Sequence, residues 1–483
     1  MTAPPPSDVA APAAPAAAQP AALWWAEVRA TVHLALPLIV TQLGQVAIRT
    51  IDTVMLGWLG PEQLAGGALG INFYFPLYLF GLGVGVAVSP MAAQALGAGD
   101  FRAVRHSVRQ GFWAVLLIGL LFSVLIWNAA PLLRLLGQAE PSIALAEAYL
   151  HAAVWGLVPS LWVIVLRAFV VAHSRPRAAL VVIVAGACLH ALGDYTLMFG
   201  HFGFPALGVV GAGVSNSLVQ WLMLLALFGY TQWDRGFRRY DLLARFWRAN
   251  WPRFREVLRI GMPIGLTILA ESGLFAAAIY VMGVLGTEQL AAHAIALQCA
   301  AVAFMVPLGI GQAATVRVGL AAGRGDRPAV GRAGWIALAL GAGFSIAPAA
   351  VFWFLPRAVI DLFLDLGAAG SLEVAAIAVS FLAVAAVFQL FDGLQIIAAG
   401  ALRGLKDTRT PMVVAVIAYW PVGFGACLLL AFPAGLGGLG IWFGLAVGLV
   451  MVAGLLVLRF HRRERFWQPP APVESPARLP SGA

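Results

Sequence analysis

The sequence predicts an all-α polytopic membrane protein with twelve transmembrane helices in two six-helix lobes, related by a pseudo-two-fold axis along the membrane normal. Three observations predict this fold: the apolar composition, the distribution of arginine and an internal repeat. Of the 483 residues, 61% are hydrophobic and 11% are charged, whereas a soluble domain carries about 25% charged residues. A soluble protein is therefore excluded.

Twelve long apolar runs divide the chain. Each is about 17 residues or longer, which suffices to cross a hydrocarbon core of ~30 Å as a helix. The runs are Ala30–Leu59, Leu64–Leu96, Gly111–Leu133, Leu150–Leu166, Ala178–Phe199, Leu207–Tyr230, Gly261–Gly286, Leu290–Val316, Gly334–Leu355, Val374–Leu402, Met412–Phe432 and Leu439–Leu458. Because they are continuous and do not alternate with polar residues, a closed β-barrel is excluded.

These runs predict five segments of the chain. Residues 1–29 are rich in Ala and Pro and have no positive charge before Arg29, so they lack a secretory signal and read as a disordered cytoplasmic tail. Residues 30–230 form the N-terminal lobe (N-lobe), and residues 231–259 form a cytoplasmic, Arg-rich linker. Residues 260–460 form the C-terminal lobe (C-lobe), and residues 461–483 form a second cytoplasmic tail.

Basic residues alternate between the connecting segments. The segments after odd-numbered helices hold only Arg134 and Arg357. Those after helices two, four, six, eight and ten hold Arg102, Arg105 and Arg109; Arg167, Arg175 and Arg177; eight arginines from Arg235 to Arg259; Arg317, Arg324, Arg327 and Arg332; and Arg403, Lys406 and Arg409. Positive charge marks the cytoplasmic side, so both termini are predicted to be cytoplasmic. The net charge of +9 is then a topology signal, and no nucleic-acid partner is expected.

An internal repeat joins the two halves. A shift of 226 residues pairs LGWLGPEQLA (Leu56–Ala65) with MGVLGTEQLA (Met282–Ala291), with seven of ten residues identical. The same shift pairs GAGDFRAV (Gly97–Val104) with GRGDRPAV (Gly323–Val330), and Pro37 with Pro263. Each unit holds an even number of helices, so both enter from the same side. Parallel repeats of this kind occur in transporters, with the binding site between the lobes.

The C-lobe carries two carboxylates within its apolar runs. Glu271 lies near the middle of the seventh run, and Asp392 lies in the tenth run between Gln389 and Gln395. A charge at the bilayer centre costs ~3 kcal/mol on insertion scales, so such groups usually face a cavity or a partner. Glu271 and Asp392 are predicted to form one site, which holds a proton or a Na⁺ ion.

Polar residues of the N-lobe lie on two predicted helix faces. In the first helix, Gln42, Gln45, Arg49 and Asp52 are spaced three, four and three residues apart, which places them on one face. The stripe either lines a cavity or contains an Arg49–Asp52 ion pair that serves packing.

The fifth and eighth helices carry the remaining candidates. His190 and Asp194 also share one helix face. Asp194 lies near the outer end of its run, so it is either a site residue or an interfacial cap. His293 in the eighth helix is read as a hydrogen-bonded core histidine, with a proton relay as the alternative.

Several motifs give the chain a family resemblance. The runs GMPIGLTILAESGLFAAA from Gly261, LGTEQLAAHAIALQ from Leu285 and GALRGLKDTRTPM from Gly400 resemble the C-terminal lobe of multidrug and toxic compound extrusion (MATE) transporters of the NorM-like branch. IDTVMLGWLG from Ile51 resembles the N-terminal lobe of that family. The likeness spans residues from about 30 to 460.

The resemblance implies a multidrug efflux antiporter of the bacterial inner membrane. Such a protein exports amphipathic organic cations in exchange for Na⁺ or H⁺, and it has no cofactor besides the coupling ion. Glu271 and Asp392 match the family's cation-coupling acids, and Asp52 and Asp194 match its N-lobe acids. Many relatives have Asn one turn before the helix-five acid, where this chain has His190. We expect a monomer.

Two other classes of function were weighed. A lipid-linked oligosaccharide flippase of similar architecture would line its cavity with Arg or Lys, whereas the charges within these runs are mostly acidic and Arg49 is the exception. A membrane-embedded enzyme is not expected, because the runs contain no HExxH, GxSxG or Cys/His cluster.

Overall fold

The computed structural model describes residues 20–242, 246–248, 250–364 and 370–469. Within these residues the chain is helical and contains no strand. Twelve helices are long and apolar enough to cross a membrane, as the sequence predicts. They are α1 (Ala21–Trp58), α2 (Pro61–Gly97), α3 (Phe101–Trp127), α4 (Glu140–Ala172), α5 (Pro176–Phe199), α6 (Val209–Trp233), α7 (Trp251–Leu285), α8 (Thr287–Gly323), α9 (Arg327–Phe354), α10 (Ser371–Gly404), α11 (Arg409–Ala431) and α12 (Gly437–His461).

Several helices extend beyond their apolar runs. Residues 21–29, assigned to the N-terminal tail, are the first turns of α1, and α7 begins at Trp251 within the predicted linker. These additional turns carry Trp and Arg side chains, which are typical of the membrane–water interface and lengthen a helix without an apolar signal. The remaining tail residues, 1–19 and 470–483, lie outside the described residues.

The two lobes repeat the same local structure at the 226-residue shift. Asp100 caps α3 by accepting a hydrogen bond from the Ala103 amide at 2.8 Å, and its counterpart Asp326 caps α9 through Ala329 at 2.9 Å. The hydroxyls of Thr41 and Thr267 both donate to the carbonyl four residues earlier, at Pro37 and Pro263, over 2.8 Å. The repeat seen in the sequence is therefore a repeat of structure.

The interface between the lobes has the same symmetry. A Cβ on Gly83 would contact the backbone of Gly265, and a Cβ on Gly309 would contact Ile39. The 226-residue shift pairs Gly83 with Gly309 and Ile39 with Gly265. The second contact is therefore the repeat equivalent of the first, with the two lobes in exchanged roles. It shows that α2 against α7 and α8 against α1 are equivalent contacts around a pseudo-two-fold axis.

The close approaches between the lobes lie toward one end of the bundle. We call this end the Arg-rich side, because it holds the start of α1, the end of α12 and the described connections after even-numbered helices. There, Gly97 packs on the Leu320 carbonyl and its counterpart Gly323 packs on the Gln94 carbonyl. The Gln94 side chain also donates to the Gly404 carbonyl at 2.8 Å.

The described part of the linker packs on the N-lobe. A short helix, Arg235–Arg238, follows α6. His173 Nδ1 donates to the Phe169 carbonyl, and its Nε2 accepts from the Tyr240 hydroxyl, both at 2.8 Å. Phe237 and Tyr240 are buried around this histidine. These contacts fix the start of the linker to the end of α4.

Candidate functional site

The two predicted C-lobe acids lie together. Gln395 Nε2 donates to Glu271 Oε1 at 2.8 Å and to Asp392 Oδ1 at 3.3 Å. Glu271 comes from α7, whereas Asp392 and Gln395 lie one turn apart on α10. We call Glu271 and Asp392 the C-lobe acid pair. One amide therefore bridges two carboxyl groups from different helices, and only Glu271 of the pair lines the central cavity.

Two further residues surround the C-lobe acid pair. Arg403 on α10 is close enough to Glu271 for electrostatic interaction. Tyr419 is fully buried near both acids, and its hydroxyl has no hydrogen-bond partner within the described residues. It sits in a π-helical stretch of α11, Ala418–Phe424, which contains Pro421. A π-segment shifts the register of the following side chains and is frequent at functional sites.

The predicted N-lobe acids also lie together, around a histidine. His190 Nε2 is 2.7 Å from Asp52 Oδ1 and 3.4 Å from Asp194 Oδ2. Asp52 comes from α1 and partly faces the cavity, with its side chain 15% exposed. His190 and Asp194 lie behind it on α5 and are buried. We call these three residues the N-lobe trio.

The trio settles two alternatives left open by the sequence. Asp194 is fully buried, so the interfacial cap is wrong: the turn after α5 folds back, and the Leu207 amide donates to the Leu197 carbonyl. No Arg49–Asp52 ion pair forms between these two described residues. The Arg49 guanidinium instead lies over the Phe75 ring, 4.7 Å from its centroid.

The other predicted polar residues occupy different positions. Gln42 and Gln45 line the cavity. Gln389 is buried on α10, and its amide nitrogen has no partner among the described residues. His293 is fully buried against Trp442, with ring centroids 5.6 Å apart. Its expected hydrogen bond is not formed within the described part of the chain.

A central cavity of about 350 Å³ lies between the lobes. Asp52 and Glu271 reach it from opposite lobes, and aromatic and aliphatic side chains such as Phe75 and Phe304 cover much of its wall. A mostly apolar wall with a few placed charged groups is typical of a ligand pocket.

Sequence reasoning missed two basic residues of this cavity. Arg167 and Arg403 line its wall together with Arg49, so the expectation that Arg49 is the one basic exception is wrong. Both were assigned to loops because each follows an apolar run by a single residue. Helices α4 and α10 continue past them, to Ala172 and Gly404. Their positions directly after Leu166 and Leu402 were the available signal that the helices could continue through them.

Two pseudo-symmetric lobes of membrane-length helices, with acids facing a shared cavity, define a membrane transporter with its binding site between the lobes. Comparison with known families agrees. The MatE family model matches residues 37–196 and 263–429, one segment in each lobe. The chain belongs to the MatE family, and it is a transporter and not an enzyme.

Relatives align over almost the whole chain. The protein is 46% identical over 453 residues to "Probable multidrug resistance protein NorM" of Mesorhizobium japonicum, which covers 93% of this chain and 97% of that relative. It is 47% identical over 439 residues to the protein of the same name in Rhizobium meliloti, which covers 91% and 94%. The crystal structure of a eukaryotic MATE transporter matches with a TM-score of 0.81 at 22% identity over 92% of this chain and 98% of that one. The latter likeness supports the fold alone.

Proposed function

We propose that the protein is a secondary antiporter that exports amphipathic organic cations in exchange for Na⁺ or H⁺ by alternating access of its two lobes. Multidrug efflux itself follows from membership of the MatE family and from the NorM relatives. Our proposal adds the energy coupling, the charge of the substrate and the residues responsible.

One observation carries the proposal: Gln395 bridges Glu271, which lines the cavity, and Asp392, which lies behind it. Two carboxyl groups beside one amide can share a proton or provide oxygen ligands for a desolvated Na⁺ ion. Either species reduces the cost of placing two acids in a low-dielectric core. Because Glu271 faces the cavity, bound substrate and bound coupling ion can compete for it, which is what exchange requires.

The charge of the cavity bears on the substrate class. Glu271 offsets Arg403 within the C-lobe, and Arg49 is engaged with Phe75. Arg167 also lines the cavity, and Asp52 is paired with His190. Asp52 still exposes 15% of its side chain, so a cationic group can reach it from the cavity. The aromatic wall suits the apolar part of an amphipathic molecule. A flippase for an anionic lipid-linked sugar is not favoured by the family relationship.

The arrangement in the membrane is part of the same proposal. The Arg-rich side is cytoplasmic under the positive-inside rule, so both termini are cytoplasmic. The protein is a monomer of the bacterial inner membrane and takes no nucleic acid. Because the lobes meet on the Arg-rich side, the state described here is closed toward the cytoplasm.

Gradient-driven transport in proteoliposomes tests the coupling. Wild type, Glu271→Gln and Asp392→Asn are compared for accumulation of the fluorescent cation ethidium under separately imposed Na⁺ and pH gradients. We expect both variants to lose transport by about tenfold or more, which corresponds to an increase of about 1.4 kcal/mol in the barrier to transport. Glu288→Gln, at an exposed acid that begins α8, is the matched control. Full activity in both site variants, with normal folding, would overturn the coupling role of the C-lobe acid pair.

A further inference from the structure

The N-lobe trio has the composition of a metal site. Of the described residues, only Asp52, His190 and Asp194 form a His/Cys/Asp/Glu group that could hold a metal ion, with one ligand atom each and all of these atoms within 4.8 Å of one another. The three ligands come from two helices. This cluster combines an imidazole nitrogen with carboxylate oxygens, in contrast to the C-lobe acid pair, which offers oxygen ligands only.

A second observation, the environment of Asp194, also points to a ligand at the trio. Asp194 is fully buried, and neither of its carboxylate oxygens accepts a well-formed hydrogen bond from the described residues. The Ser215 side chain lies nearby and donates instead to the His190 carbonyl at 3.4 Å. Its nearest charged partner, His190 Nε2, lies 3.4 Å from Oδ2 and is already bonded to Asp52 at 2.7 Å. Such a weakly paired buried carboxylate is costly, since buried charges are normally well paired or bound to a metal.

The chemistry of the trio favours a borderline-soft dication over Na⁺. Two carboxylates and a neutral imidazole neutralise a +2 ion, whereas Na⁺ would leave a net negative charge in the core. One His and two carboxylates suit Zn²⁺ and similar metals, and three protein ligands leave a fourth position open.

Metal binding requires a side-chain movement, and the proton that lies between His190 Nε2 and Asp52 Oδ1 must leave this contact, to His190 Nδ1 or to water. Ligand atoms about 2.0–2.2 Å from a tetrahedral Zn²⁺ are roughly 3.4 Å from each other. The His190 Nε2–Asp194 Oδ2 distance is already 3.4 Å, and the His190 Nε2–Asp52 Oδ1 distance is 2.7 Å. Asp52 is the partly exposed member that faces the cavity. Its side chain must move outward so that this distance lengthens from 2.7 Å to roughly 3.4 Å, and the ion can enter from the cavity.

We propose that Asp52, His190 and Asp194 bind a transition-metal dication of the Zn²⁺ class and that the bound metal inhibits export. Bound metal links α1 to α5 and occupies the cavity-facing acid that a cationic group would use. The binding step stands on the trio's geometry alone. The inhibition rests on the proposed antiport function.

Metal binding to the purified protein in detergent tests the site without transport. With the affinity tag removed, Zn²⁺ is titrated by calorimetry, and Co²⁺ is titrated by its visible absorption, which reports coordination geometry. We expect one site in wild type, and at least a tenfold weaker affinity in His190→Asn and Asp194→Asn. His201→Asn, at an exposed histidine outside the trio, is the matched control and retains the site. Equal Zn²⁺ affinity in wild type and His190→Asn, or no binding by wild type, would overturn the proposal.

Transport assays then separate the metal site from the antiport function. In proteoliposomes, Zn²⁺ should lower ethidium export by wild type and by His201→Asn, with half-inhibition near the measured dissociation constant. If wild type binds Zn²⁺ but transports nothing under any gradient, the antiport proposal fails and the metal site stands. If Zn²⁺ binds to the trio but leaves export unchanged, the inhibitory role is refuted.

Discussion

Loss of the Glu27–Arg317 ion pair should open the Arg-rich side of the transporter. Arg317 on α8 donates to Glu27 on α1 through two nitrogens, at 2.7 and 2.5 Å, so the pair joins the lobes. The side chains are only 21% and 12% exposed. Breaking a fully buried pair costs 3–5 kcal/mol, and an exposed pair contributes 0–1 kcal/mol. For this bidentate, partly buried pair we expect Glu27→Gln to destabilise the closed state by about 2 kcal/mol, roughly a 30-fold change in the closed-to-open ratio.

Spin-label distances measure this shift directly. Cysteines replace the exposed residues Arg102 and Arg324, one in each lobe, on a background where the exposed Cys188 is Ser. Double electron–electron resonance should show one short distance in the parent and an added longer distance in Glu27→Gln. Glu140→Gln breaks an exposed pair with Arg134 within the N-lobe and should leave the distribution unchanged. An identical distribution in Glu27→Gln and its parent would refute the assignment of this pair as an inter-lobe contact that holds the closed state.

Two further predictions concern stability. Gly83→Ala places a Cβ against the Gly265 backbone, which no side-chain movement can relieve. We therefore expect the free energy of unfolding to fall by about 1–3 kcal/mol, with a lower melting temperature. The control Gly57→Ala, whose Cβ would meet nothing within 4 Å, should melt like wild type. Burial, aided by Arg239 and Arg175, lowers the pKa of His173 to about 4, so between pH 6.5 and 4 the unfolded chain binds a proton that folded His173 does not. Stability should therefore fall by up to about 3 kcal/mol over this range, and His173→Gln should flatten the pH dependence of the melting temperature; an unchanged slope would contradict it.

The sequence predicted the twelve helices and the two lobes well, because the patterns that define them are local or repeated along the chain. Length and apolar character define each helix, and the 226-residue repeat predicts two lobes of the same architecture. Helix ends were predicted poorly at Ala21 and Trp251, since interfacial turns lack an apolar pattern. The same limit placed Arg167 and Arg403 in loops.

The candidate site was predictable in its residues but not in its contacts. Periodicity placed Asp392 and Gln395 on one face of α10, and the cost of a buried charge singled out Glu271. The sequence could not show that Gln395 donates to Glu271, because this contact depends on how α7 and α10 pack. The relation of Asp52 to His190 likewise depends on the packing of α1 against α5. An Arg49–Asp52 pair is the contact that adjacent turns of one helix would suggest, and the tertiary structure overrides it.

The N-lobe trio and the C-lobe acid pair have a similar arrangement, although their residues are not equivalent in the repeat. In each lobe one acid faces the cavity, Asp52 or Glu271, and a second acid lies behind it across a bridging side chain. The helices differ, however: α1 and α5 supply the N-lobe trio, whereas α7 and α10 supply the C-lobe acid pair. The repeat pairs α5 with α11 and α10 with α4, so the second acid comes from non-equivalent helices.

Under the two proposals above, this difference gives the lobes separate roles. The equivalent contacts of Gly83 and Gly309 allow the lobes to move as similar rigid units, and the non-equivalent acids give each lobe its own ligand chemistry. An amide bridge in the C-lobe offers oxygen ligands and suits a hard cation or a proton. An imidazole bridge in the N-lobe adds nitrogen and suits a borderline-soft metal. A symmetric frame with asymmetric sites can thus offer two kinds of cation site at one cavity, one for the coupling ion and one at which a metal blocks the acid that an organic cation would use.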